Sequence, residues 1–130
     1  MYVYLHHKDA TFTNNSEYIF NIPGGLWLQG EIALAEIQYK IKKGNSNINC
    51  LDVCCNVCDT SFVGSQTSPV LRRIHVNKDK RNEHHIFPTL YYVPVSKPWT
   101  SNLTVHIKPV HSQNASFELE TLNCTLHIKS

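Results

Sequence analysis

Charge is scarce in this chain. Only 17% of its 130 residues are Asp, Glu, Lys or Arg, against about 25% in an average globular domain. So much neutral surface suits permanent contact with neighbouring subunits; a polar β surface rich in Asn, Thr and Ser has the same composition. Long apolar runs are also missing. None approaches the roughly 20 residues that a membrane-spanning helix needs, so no membrane span is expected. The opening MYVYLHHKD has neither an apolar h-region nor a small-residue cleavage site. That argues against a signal peptide and for synthesis in the cytosol or nucleus. Catalytic signatures are lacking too. Gly64-Ser65 has no Gly-x-Ser-x-Gly context, and no Cys-His motif is recognisable. The ten carboxylates form no paired acid–base motif. Gly24-Gly25 follows Pro23 and serves a turn, not a phosphate loop. The expectation is a protein that is not an enzyme and needs no cofactor.

The net charge is +2, and the only basic clusters are Arg72-Arg73 and Lys78 to Arg81. Short runs like these read as solvated loops; a phosphate-binding patch is the alternative. No sequence-specific contact with nucleic acid is expected.

What the chain does have is strand pattern. The densest stretch is Gly30 to Tyr39, GEIALAEIQY, led in by Pro23 to Gly30. Ile32, Leu34 and Ile37, with Ala33 and Ala35 between them, read as a strand buried on most of both faces. Glu36 lies inside it, and a buried carboxylate must be paired, so it reads as a brace. About eight strands are expected: Met1 to His7, Glu17 to Ile22, Glu31 to Ile41, Ile48 to Cys58, Val70 to Val76, Ile86 to Val95 (with Pro88 inside it), Leu103 to Val110 and Leu119 to Ile128. Lys42 to Asn47 reads as a polar turn and Asn77 to Glu83 as a charged tip.

Two strands alternate cleanly. Leu103, Val105 and Ile107 face one way, and Thr104, His106 and Lys108 the other. Leu122, Cys124, Leu126 and Ile128 do the same against Asn123, Thr125, His127 and Lys129. Period two with one apolar face marks a sheet that packs on another sheet. The expected fold is all-β, one domain over residues 1–130. Its antiparallel strands form two sheets packed face to face, as a sandwich or jelly roll. The expected core includes Leu5, Ile22, Leu34, Ile37, Val53, Leu71, Val105, Ile107, Leu126 and Ile128.

Cys50, Cys54, Cys55 and Cys58 fall within nine residues, and Cys124 stands alone. Cys55-x-x-Cys58 has the spacing of a zinc knuckle or a redox pair, which makes Cys55 and Cys58 the candidate metal ligands. Against this, Leu51 to Val57 reads as strand. In a strand Cys55 and Cys58 point to opposite faces, and Cys54 and Cys58 stand about 13 Å apart at ~3.3 Å per residue. Neither arrangement closes a metal site or a disulfide. Structural, free thiols are the expected reading, with no metal bound. The histidines are His6-His7, His75, His84-His85, His106, His111 and His127. Neighbours in a strand point apart and make poor chelates. If the last two strands were adjacent, His106 and His127 would meet across the ladder as a pH-sensitive contact. Four glycosylation sequons begin at Asn14, Asn102, Asn114 and Asn123; without a secretory signal they are expected to stay unmodified.

Several segments in order resemble one family. Met1 to Leu5 (MYVYL), Tyr18 to Ile22 (YIFNI) and Leu26-x-Leu28-x-Gly30 through Tyr39 resemble the opening of the minor capsid, or penton, proteins of Polinton/Maverick elements and adintoviruses. Val53 to Gly64 followed by Ser68-Pro69-Val70-Leu71-Arg72 is similar to the middle of that family. Tyr91 to Ser96 resembles its "His/Tyr-Tyr-x-Pro-Val". Phe117 through Leu122 with Thr125, Leu126 and His127 resembles its closing "Pro-Phe … Val-Thr-Leu-His-Phe". The family's aromatic at the position of Ile32 is absent. Cys54 and Cys58 stand where it has an aromatic and an aliphatic strand residue.

The resemblance implies a single jelly roll of two four-stranded sheets. It implies a viral structural protein of the virion, made in the host cytoplasm or nucleus. Five copies would close a homopentameric ring at an icosahedral vertex, among major capsid protein neighbours. A capsid-associated spike or cement protein, or a host-attachment sandwich binding a receptor or glycan, is the alternative. For glycan binding, Trp27, Trp99, Tyr91 and Tyr92 are the candidate aromatic platform. A zinc-dependent regulator or enzyme is the remaining alternative.

Overall fold

The computed structural model describes residues 1–14, 17–43, 48–77, 79–110 and 117–129. The described residues are all-β and contain no α-helix. β1 (Tyr2–His6) runs into one 3₁₀ turn (His7–Asp9) and β2 (Ala10–Asn14). β3 (Glu17–Trp27) and β4 (Glu31–Lys43) are long, and β5 (Cys50–Cys55) precedes a small hairpin of β6 (Ser61–Val63) and β7 (Gln66–Ser68). β8 (Val70–His75), β9 (Asn82–Ile86), β10 (Val93–Pro94), β11 (Trp99–Pro109) and β12 (Glu118–Lys129) follow.

One sheet has the order β1-β12-β4, with β9 and β10 both paired to the far side of β4. The other has the order β2-β3-β11-β5-β8, and every pairing is antiparallel. Their inner faces enclose one apolar core. Leu5, Leu34, Ile37, Leu126 and Ile128 enter it from the first sheet, and Val53, Leu71, Val105 and Ile107 from the second. Ile22 is only partly buried, at the margin of this core.

A bulge explains the apolar density of β4. Leu34 pairs with Leu126 and Glu36 with Thr125, so Ala35 is an extra residue on the β4 side. The extra residue reverses the alternation. Ile32 and Leu34 point inward before it; Ile37, Tyr39 and Ile41 point inward after it. Burial on both faces is limited to the stretch around Ala33, since Gln38 and Lys40 are exposed. Glu36 is thereby turned outward, only half-buried.

Further features depart from the sequence reading. β2 and the β6–β7 hairpin were not expected. β3 continues past Ile22 through Pro23-Gly24-Gly25 to Trp27, because Gly24 and Gly25 adopt φ of 79° and 77° and absorb the irregularity inside the strand. The strand expected over Ile48 to Cys58 ends at Cys55, where the N–H of Cys58 donates to the Cys55 carbonyl at 3.1 Å and closes a turn. Of the strand expected over Ile86 to Val95 only the two ends are strand: Ile86 closes β9, which begins at Asn82 inside the expected charged tip, and Val93–Pro94 form β10. The N–H of Phe87 makes the last bond from β9 to β4, at Ala35 O, and Pro88 has none to give.

Candidate interaction surface

The turn after β5 brings Cys55 and Cys58 together rather than apart. Their thiols share a hydrogen bond inside the core, where both side chains are almost wholly enclosed. The reason the sequence reading separated them, a strand running through Cys58, does not apply. Cys124 is buried in the same core, and burial pushes its thiol up to about 12. Cys58 is held well above the ordinary thiol value by its hydrogen bond to Cys55 and then by burial. Cys54 points out of the core and is covered by Ser68, whose Oγ lies 3.6 Å from its Sγ; burial raises this thiol as well. Cys50 is half-exposed, 3.5 Å from Nδ1 of His75. Among the described residues, no three Cys, His, Asp or Glu side chains stand close enough to hold a metal ion. Cys55 is the exception, held below the ordinary thiol value chiefly by its hydrogen bond with Cys58; the raised thiols of Cys54, Cys58 and Cys124 stay protonated and are poor nucleophiles and poor ligands.

The histidines scatter. β11 and β12 lie in different sheets, so His106 and His127 do not meet. His106 is held below its ordinary value by burial and then by Lys108. His6 and His7 were expected to point apart. Because β1 ends at His6 and a 3₁₀ turn begins at His7, their rings stack at 4.7 Å instead. His84 and His85 do alternate: His84 turns outward to Glu36 at 2.8 Å, and His85 sits near the Tyr39 and Phe87 rings. His111 lies outside the described residues, as does Lys78.

Neither arginine of Arg72-Arg73 lies in a loop; both belong to β8. The guanidinium of Arg72 is stacked on Phe87 at 3.8 Å and on Tyr91 at 4.0 Å. Arg73 donates twice to Asp52. Both cations are committed to the protein, which leaves little for a phosphate. Gly64-Ser65 forms the two-residue turn of the β6–β7 hairpin, with Gly64 at φ 64°.

The surface is set apart by exposed aromatics. At one end of the molecule Trp27 and Trp99 are cross-strand partners on β3 and β11, and Trp27 is 74% exposed. Beside Trp27 a hollow of about 430 Å³ is lined by Met1, Gln29 and Ile128. The aromatics read as one platform divide among separate contacts: Trp27 pairs with Trp99, Tyr91 covers Arg72, and Tyr92 is hydrogen-bonded to Nδ1 of His127 at 2.7 Å. A second aromatic group escaped the sequence reading as a surface. Tyr2 and Tyr4 project together from the outer face of β1, and the alternation in MYVYL was the signal for it.

Compared with protein-family models, curated proteins and solved structures, the chain matches none.

Proposed function

We propose that this chain is a viral structural protein, the subunit of a penton at the five-fold vertex of an icosahedral capsid, built as a single jelly roll. The observation that carries this reading is the strand order. Take β9 and β10 together as the sixth of eight strands, with β1, β3, β4, β5, β8, β11 and β12 as the others in chain order. The first sheet is then 1-8-3-6 and the second 2-7-4-5. That is the order made by folding a long antiparallel ribbon, which pairs 1 with 8, 2 with 7, 3 with 6 and 4 with 5, and rolling it up into two Greek keys. β2 and the β6–β7 hairpin are additions at the margin of this plan.

Two more observations support a role in assembly. Thiols are buried or capped and the arginines are spoken for, so the chemistry of the surface is aromatic and neutral rather than reactive. The exposed Trp27 and Trp99 are the residue type that carries subunit contacts. In a five-membered ring each contact joins one face of a subunit to a different face of the next, and the rotation closes. Each should bury on the order of 1,000 Å² or more. Major capsid neighbours would take the outer perimeter. The alternative is an attachment or spike protein, which the tyrosine-lined face of the first sheet favours.

Native mass spectrometry of the purified chain, alone and with capsid shells, tests the proposal. A pentamer, or copies recovered at vertices, is the expected result. A trimer points to a spike, and a chain that stays monomeric and off the particle overturns the vertex reading.

A further inference from the structure

On the outer face of the first sheet two hollows, of about 380 and 370 Å³, adjoin over Tyr4, Glu36 and Thr125. The register builds them in two rows across four strands. One row is Tyr4, Thr125, Glu36 and Ile86; the next is His6, Asn123, Gln38 and His84. A polar strip on the two central strands is therefore flanked by an aromatic margin on β1 and an aliphatic one at Ile86. The bulge at Ala35 is what turns Glu36 into the strip.

The aromatic margin is held in place before any ligand arrives. The Tyr2 and Tyr4 rings lie 6.3 Å apart and 25° from parallel. Tyr2 packs on its cross-strand partner His127, with ring centres 4.6 Å apart, and His127 is fixed in turn by the Tyr92 hydroxyl. Tyr4 is 77% exposed, an apolar ring with nothing over its outer side. The polar strip is oriented as well. The Nε2 of His84 meets one Glu36 oxygen at 2.8 Å, and Thr125 Oγ1 donates to the other at 3.3 Å. The Glu36 side chain remains 40% exposed, so both oxygens keep acceptor capacity toward the hollow. Asn123 Oδ1 is buried beneath the strip with no hydrogen-bond partner among the described residues.

The residues lining the hollows restrict the ligand. Among the described residues they include the carboxylates Glu36 and Asp9 and no Lys or Arg, which disfavours an anion. The strip of Glu36, Gln38, Asn123 and His84 is too rich in hydrogen-bonding groups for a lipid or an apolar peptide. What fits is a neutral molecule with apolar C–H faces and hydroxyl edges, one face on the tyrosines and its edge on the carboxylate. We infer that this groove binds a neutral oligosaccharide, with Tyr2 and Tyr4 as the stacking platform and Glu36 and His84 as the hydroxyl-binding pair.

The inference does not rest on the vertex reading: a groove on this face serves a pentamer, a trimer or a monomer, so subunit mass and sugar binding fail separately. The test is an array of neutral and sialylated oligosaccharides probed with the full chain, followed by NMR titration with the tightest neutral one. Saturable shifts at Tyr2, Tyr4 and His84 are expected. Tyr4→Ala should weaken binding about tenfold, since one stacked ring is worth roughly that much. Tyr2→Ala should weaken it too, and Glu36→Gln should also cost affinity. Phe62→Ala, an exposed ring on the β6–β7 hairpin outside the groove, should leave it unchanged. Failure of every neutral sugar, preference for the sialylated ones, or full binding by a folded Tyr4→Ala variant overturns the inference. So does a dimer that Tyr4→Ala dissolves, because a second copy would then be the occupant.

Discussion

Asp52 on β5 and Arg73 on β8 are cross-strand partners joined by two parallel hydrogen bonds, Nε to Oδ1 at 2.7 Å and Nη2 to Oδ2 at 3.1 Å. The Asp52 side chain is 4% exposed, while the Arg73 side chain stays about half in water at 46%. The two ends are therefore unequal. Arg73→Ala strands a buried carboxylate and should cost about 2–4 kcal/mol, read from urea unfolding. Replacing both by Leu should recover much of that loss, because no charge is then left without a partner. Equal destabilisation by the single and double variants would count against this account.

Leu34 and Leu126 face each other across the β4–β12 ladder, and both are fully enclosed. Either one changed to Ala should cost about 2–5 kcal/mol. Because the two share one space, the double variant should cost less than the summed singles; strict additivity in a double-mutant cycle would show that they do not pack on each other.

Gly25 is constrained twice. Its φ of 77° disfavours a side chain, and a Cβ there would stand 2.4 Å from Cζ2 of Trp99. Gly24 has the same kind of φ, 79°, but open space around it. Gly24→Ala should thus cost about 1 kcal/mol, the backbone term alone. Gly25→Ala should cost clearly more and shift the Trp99 fluorescence, because the indole must leave its seat. Similar losses for the two variants would mean that the indole moves freely.

The long strands were legible because each keeps one apolar face. β11 and β12 alternate without a break over Leu103 to Ile107 and Leu122 to Ile128, so their course and their share of the core could be read directly. What was not legible depends on partners far away in sequence. Nothing local announces that Ala35 is a bulge; it becomes one only against Thr125 and Leu126. β9 is paired by backbone groups under a polar sequence, Asn82-Glu83-His84-His85, which looks like a loop tip. The Cys55–Cys58 turn was hidden because four of its neighbours, Leu51, Val53, Cys54 and Val57, are as apolar as a strand. The tyrosine groove needed the sheet order, since its rows draw on residues from β1, β12, β4 and β9.

Alkaline pH should separate the buried thiols from the rest. Burial raises the Cys124 thiol from its ordinary value of 9.0 to about 12. Below the unfolded value both states hold the proton and stability is unaffected. Between the two values the unfolded chain loses it and the folded one does not, so folding weakens as pH rises through that window. The limiting slope for one proton is about 1.4 kcal/mol per pH unit. Cys124→Val should flatten the decline measured by urea unfolding from pH 8.5 upward. An unchanged slope would show that other groups, not Cys124, set the alkaline limit.

Trp27 offers the sharpest test of assembly. A tryptophan 74% exposed beside the 45% exposed Trp99 contributes little to the lone subunit but much to a contact that covers it. In a head-to-tail ring this patch must meet a different face of the next subunit, so a single substitution damages all five contacts at once. Trp27→Ser should leave the unfolding midpoint nearly unchanged and abolish the proposed pentamer in native mass spectrometry. Tyr4→Ala, on the outer face of the other sheet, should leave the ring intact. Reversed outcomes would move the contact from the tryptophan end to the tyrosine groove. If both variants assemble as the unsubstituted chain does, neither aromatic patch is the contact.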